Sequence, residues 1–188
     1  MKRLLAVLSF LIFAASFAHA DTINLLACSN CVFADSWADV YTFPPNSYYT
    51  PSYGSSMIDA GGETYGGVSG YNWWQSEAWG GTTKGSITKF SYASLYSSQL
   101  NADISLFNSV FNSRTDTFKA SFVFGGKMWH LTEVFGAPQS AFSNVLYSYT
   151  YSNITSAQIT TVPEPGSLWL MGTGLLSLGG FARRRFLS

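Results

Sequence analysis

Charge is scarce in this chain: Asp, Glu, Lys and Arg make up 11% of its 188 residues. Cysteine and histidine are scarcer still, at two residues each. No His-Glu-x-x-His pair, no calcium loop and no phosphate-cradling glycine loop occurs, which removes the signposted metal and nucleotide chemistries. Neither a metal site nor a cofactor is expected. Long apolar runs are missing from the middle of the chain and occur only at its two ends. The body between them is therefore an aqueous domain bracketed by addresses.

Lys2-Arg3, the apolar run Leu4–Phe17 and the small-x-small site Ala18-His19-Ala20 form the layout of a secretory signal peptide over residues 1–20. Cleavage after Ala20 leaves a mature chain beginning at Asp21. Leu25-Leu26-Ala27-Cys28 has the composition of a lipidation box. Asp21, Thr22 and Asn24 separate it from the apolar run that should lead into it.

The other end reads Val162-Pro163-Glu164-Pro165, then the uncharged stretch Gly166–Ala182, then Arg183-Arg184-Arg185. Two prolines resist continuous helix or central strand and interrupt the chain. The 17 residues of 166–182 predict a transmembrane helix of roughly 25 Å, short against a core of about 30 Å. The three arginines fix its end in the cytoplasm, which leaves the body outside the inner membrane.

From Val162 to Arg185 this tail resembles the PEP-CTERM sorting signal of Gram-negative bacteria, with triplet, short apolar segment and arginine cluster in order. The resemblance implies recognition by an exosortase-like membrane protease and processing near Pro163, Glu164 and Pro165. It also implies transit through an inner-membrane intermediate with the body in the periplasm, then placement at the cell surface or outside the cell. Proteins of this class are associated with exopolysaccharide and biofilm. The resemblance covers 162–185 of the sorting segment 162–188 and transfers an address, not an activity for the body.

The body, residues 21–161, is long enough for one sizeable core. It carries five basic and nine acidic residues, about −4, because half of the basic residues sit in the terminal signals. With no basic stripe, nucleic acid is not an expected partner. Phe118, Ala120, Phe122 and Phe124 alternate before Gly125-Gly126, and strand formers follow over Met128–Phe135, a hairpin signal. Val145, Tyr147, Tyr149 and Tyr151 share another strand face. Ser86–Phe111 fits either period, with one helix near Tyr92–Leu100 as an option. Tyr41–Tyr53 reads as a long loop, and the glycine pairs 61–62, 66–67 and 80–81 read as turns. The expectation is an all-β fold: a single antiparallel β-sandwich or jelly-roll-like domain, flanked by the signal peptide and the transmembrane helix.

Cys28 and Cys31, three positions apart in an exported chain, are expected to close one small disulfide loop. A redox site would need a strand before the pair and a helix after it, and 32–45 shows no helical period.

The expected ligand surface is Tyr71, Trp73, Trp74, Glu77 and Trp79. Flat aromatic faces pack on sugar rings while Asn, Gln and Glu bond hydroxyls. Adjacent Trp73 and Trp74 on a strand point to opposite faces, so one of the two belongs to the core. No catalytic residues are expected: Gly67-Val68-Ser69-Gly70 misses the nucleophile-elbow pattern by one position. His130 would share a face with Met128 and Thr132. Together with what the tail's resemblance implies, these residues lead to the expectation of a non-catalytic exported surface or matrix protein that contacts exopolysaccharide. The alternative is a secreted carbohydrate-active enzyme using a pair such as Glu63 and Glu77. Pure self-association through unpaired strand edges is a third reading.

Overall fold

A computed structural model describes residues 20–27, 31–44, 55–66, 70–144 and 146–162, except for the side chains of 31–33. All regular structure there is strand. The strands are β1 (Thr22–Asn24), β2 (Cys31–Phe43), β3 (Ser55–Gly66), β4 (Tyr71–Trp79), β5 (Thr82–Lys84) and β6 (Ile87–Lys89). They continue as β7 (Tyr92–Ser97), β8 (Ala102–Ser105), β9 (Phe107–Asn112), β10 (Thr117–Phe124), β11 (Lys127–Ser143) and β12 (Ser148–Thr161).

Their order in one sheet is β5-β6-β9-β10-β11-β12-β2-β3-β4-β7-β8, with β1 on β12. Several of these strands are halves of longer ribbons. Ile87↔Asn112 in the β6–β9 pair and Leu95↔Ile104 in the β7–β8 pair belong to one unbroken register. The Phe90 N–H to Ser109 O and Leu106 N–H to Ala93 O bonds, at 3.0 and 2.9 Å, carry it across the kink. Thr82↔Lys89 and Trp79↔Tyr92 likewise share one register. The two ends of the sheet path are therefore the two halves of the same bent hairpins, and the sheet wraps back toward itself.

A cross-core contact shows how tight the curl is. Strands β4 and β11 are four steps apart in the sheet, about 19 Å if it were flat. Yet Ser76 Oγ and Glu133 Oε2 lie 3.0 Å apart. The expected sandwich or jelly roll is thus corrected: one curled, barrel-like sheet surrounds one core, rather than two sheets packed face to face. The physical reason is the size of the inward side chains on one half. Ala38, Ala60, Ser76, Ala78, Ala93 and Ser97 are buried and small, interspersed with the larger Ile58, Trp74 and Leu95, so the concave face there can bend sharply. Phe118, Phe122, Leu131 and Ile159 from the other half fill the space, where burial of apolar area is the main stabilising term.

The flanking transmembrane helix is corrected as well. No helix among the described residues is long and apolar enough to cross a membrane. The segment 166–182 lies outside the described residues, as do residues 1–19. The optional helix near Tyr92–Leu100 is strand β7 followed by a turn. Gly61-Gly62 is no turn: it sits inside β3. The expected hairpin stands, since β10 and β11 pair from Phe124↔Lys127 to Thr117↔Val134, and Gly125 and Gly126 have φ of 59° and 75°. Positive φ at both turn positions is what glycine supplies there.

The chain divides into two compact units, Thr22–Thr160 and a second made of Met1–Asp21 with Thr161–Ser188. Within the second, the Asp21 N–H donates to Thr161 Oγ1 at 2.7 Å, and the Thr161 N–H donates to Asp21 O at 2.9 Å.

Candidate functional site

Strand alternation sends every second residue of β2, β3, β4, β7 and β12 to the outer face. On β4 these are Tyr71, Trp73, Gln75, Glu77 and Trp79, while Trp74, Ser76 and Ala78 are buried. The expected surface set is thereby divided. Tyr71, Trp73, Glu77 and Trp79 share one face, and Trp74, only 3% exposed, belongs to the core.

Register brings further groups to that face. Trp79 stands opposite Tyr92, Glu77 opposite Ser94, and Gln75 opposite Tyr96 on β7. On the other side Glu77 faces Asp59, Gln75 faces Gly61 and Trp73 faces Glu63 on β3. Trp73 stacks on Tyr96 with centroids 4.3 Å apart, and Trp79 on Tyr92 at 6.1 Å. Trp79 and Tyr92 are 40% and 64% exposed. Between the two aromatic pairs, Gln75 Nε2 donates to Asp59 Oδ1 at 3.0 Å and to Glu77 Oε1 at 3.1 Å. Two flat aromatic platforms thus flank an amide held between two carboxylates. Along the strand their Cα atoms are roughly 20 Å apart.

One strand further, Asp59 faces Asp39 and Gly61 faces Trp37 on β2. Burial, and then the charge of Asp59, push the Asp39 carboxyl above its ordinary range. Tyr41 is pushed up by burial first, then by Asp39, Asp59, Tyr149 and Tyr147. At the strand ends the Tyr71 hydroxyl donates to Glu63 Oε2 at 2.8 Å, a bond that raises the phenol. Tyr41 stacks on Tyr149 at 5.6 Å, so the aromatic field continues onto β12.

Charge divides with the sheet. Asp35, Asp39, Asp59, Glu63, Glu77 and Asp103 lie on β2, β3, β4 and β8. These strands hold no lysine or arginine. Lys84, Lys89, Lys119 and Lys127 lie on β5, β6, β10 and β11, with Arg114 in the β9–β10 turn. Sequence reading missed Asp59, Tyr92 and Tyr96. Their alternation was visible, but only the register of β3 and β7 against β4 reveals the grouping.

Glu63 and Glu77, the carboxylates named for an enzyme, do not converge. Glu63 pairs across from Trp73, four residues along β4 from Glu77, so their Cα atoms are roughly 14 Å apart. Asp59 and Glu77 do converge, through Gln75. His130 lies on the outside of β11, exposed, with Nδ1 2.9 Å from Ser121 Oγ. Beside them is a shallow pocket of about 320 Å³ that also touches Asn108, Lys119 and Thr132. No cluster of three or more metal-ligating side chains occurs among the described residues. Cys28 and the side chain of Cys31 lie outside the described residues, as do Pro163, Glu164, Pro165, Arg183, Arg184 and Arg185.

Those last six fall within the one comparison that gives a match: residues 161–185 fit the PEP-CTERM protein-sorting motif. The chain carries a PEP-CTERM sorting motif. A PEP-CTERM motif marks an exported protein directed to the cell surface and implies recognition by an exosortase-type protein. The match begins at the last residue of β12, so the PEP-CTERM segment starts where the folded body ends. No curated protein and no solved structure matches the chain.

Proposed function

We propose that this PEP-CTERM chain is a non-catalytic surface or extracellular-matrix protein whose outer sheet face contacts exopolysaccharide. An exosortase-like protease processes it at the inner membrane, near Pro163-Glu164-Pro165, and the body passes from the periplasm to the cell surface. One arrangement supports the glycan reading above others. The stacked pairs Trp73–Tyr96 and Trp79–Tyr92 flank Gln75, Asp59 and Glu77 on one open face. Sugar rings present apolar C–H faces with hydroxyls at their edges, and aromatic platforms beside amide and carboxylate groups match both. A surface of this kind suits a chain-like ligand lying across the strands.

The test is affinity electrophoresis of the released protein through gels containing the host's purified exopolysaccharide. Retardation that is weakened by Trp79→Ala and by Trp73→Ala supports the reading. Unretarded wild-type protein overturns it.

A secreted carbohydrate-active enzyme is the second reading, and one observation favours it. Asp59 Oδ1 and Glu77 Oε1 each lie within 3.1 Å of the same Gln75 nitrogen, which puts them no more than about 6 Å apart, near the separation of a retaining pair. Release of reducing ends from the same polysaccharide, abolished by Asp59→Asn and by Glu77→Gln, would establish that activity instead.

A further inference from the structure

Strand β11 outruns its neighbour. Its pairing with β10 ends at Thr117↔Val134, and the Phe135 N–H donates to Asp116 O at 2.8 Å as the last bond on that side. From Ala137 to Ser143 all seven residues are exposed. Among the described residues, no strand pairs with them on the side away from β12.

Parity decides which main-chain groups face that open side. Phe135 points its N–H toward β10. Val134 accepts from Thr155 Oγ1 on β12 at 3.0 Å, and the Asn144 N–H donates to Tyr147 O at 3.0 Å. Even-numbered residues therefore face β12 at both ends of the stretch, and odd-numbered ones face the open edge. Ala137, Gln139, Ala141 and Ser143 present their N–H and C=O groups outward. Pro138 is even-numbered, so the amide hydrogen it lacks would have pointed toward β12. It does not blunt the edge in the way edge prolines ordinarily do. No charge stands in 137–143 either, and lysines, the other common guard, are missing.

We infer that this edge is an interface, and that its occupant is the same edge of a second copy of the chain. An unguarded row of outward donors and acceptors calls for a strand, and an antiparallel strand related by a two-fold axis is self-complementary. Centred on Ser140, the pairing sets Ala137 opposite Ser143 and Gln139 opposite Ala141, and forms roughly eight main-chain hydrogen bonds. All four side chains nearest the new bonds are uncharged, and two are alanine, so nothing bulky holds the strands apart. On the outer face Pro138 of each copy lies opposite Phe142 of the other. Phe142, 47% exposed, already packs on Tyr147 at 5.8 Å. Pairing would cover that ring and join the two outer sheet faces into one surface. Two glycan faces on one particle would bind a polymer with avidity, although the pairing itself does not depend on glycan binding.

Light scattering coupled to gel filtration tests this on protein released by its native host. A dimer mass is expected for the wild type. Ala141→Pro removes one outward N–H, and Ala141→Lys places a charge at the seam while leaving every main-chain group in place. Each should weaken the dimer by roughly tenfold or more, with an unchanged far-UV spectrum. The lysine variant decides the matter if the proline variant fails to fold. Val123→Lys, at an exposed site on β10, should remain dimeric. A monomeric wild type at about 100 μM, the outcome if the edge takes a strand from a different protein, overturns the inference. A dimer untouched by Ala141→Lys overturns it too.

Discussion

Ser76 Oγ donates a hydrogen bond to Glu133 Oε2 at 3.0 Å across the interior, joining β4 to β11. Glu133 is fully buried, and its second oxygen, Oε1, has no partner among the described residues. Burial raises the carboxyl from 4.5 to about 8, against a smaller lowering by the Ser76 bond. Near neutrality the folded chain holds this group protonated while the unfolded chain ionises it. The folded state then binds more protons between about pH 4.5 and 8. Stability is greatest below that window, falls as pH rises through it and levels off above it. Thermal melts from pH 4 to 9 should show the decline, on the order of a few kcal/mol in total. Glu133→Gln should flatten the profile and be the more stable protein at pH 9.

Trp73 and Trp74 are adjacent and should behave as opposites. Trp74→Ala empties a core position and should cost about 3–5 kcal/mol in denaturant unfolding. Trp73→Ala and Trp79→Ala should leave the fold intact and weaken polysaccharide retardation by roughly three- to tenfold each. Equal stability losses at all three positions would remove the distinction between the inner and outer faces of β4.

Gly61 has a steric role. A Cβ there would meet Trp37 Cζ2 at 2.5 Å and the Trp74 carbonyl oxygen at 2.8 Å. Main chain cannot yield as a flexible side chain can, so Gly61→Ala should destabilise by about 1–3 kcal/mol. It should also lift the Trp37 ring, read as a change in tryptophan emission.

Processing can be read by intact mass. Protein from the cell surface or medium is expected to begin at Asp21 and to end near Pro163-Glu164-Pro165. Replacing that triplet by alanines should leave the arginine cluster, residues 183–185, on the chain. Full-length mass from the surface of cells that contain the sorting protease would contradict the proposed route.

What could be read in advance depended on whether a signal was local. Phe118, Ala120, Phe122 and Phe124 before two glycines specify a hairpin from a dozen residues, and β10–β11 is that hairpin. The PEP-CTERM tail is equally local, and its match confirms the reading. The choice between a sandwich and one curled sheet is a long-range matter. Ala60, Ser76 and Ala93 alternate with polar neighbours in either architecture, and only their joint small size on neighbouring strands marks the curl. Gly61-Gly62 misled for the opposite reason. Glycine pairs usually punctuate, but here they admit the rings of Trp37 and Trp74 against a strand. Asp59 joined the aromatic face through register alone.

The seam of the sheet has a consequence for timing. β1 pairs with β12 alone among the described strands, whereas β2 also has β3 beside it, so the first strand of the body waits for the last. Until residue 160 is clear of the export machinery, Thr22–Asn24 has no neighbour and the sheet cannot close. The PEP-CTERM segment begins immediately afterwards, at residue 161. Completion of the sheet and the start of the sorting motif are thus adjacent along the chain, residue 160 closing the one and residue 161 opening the other.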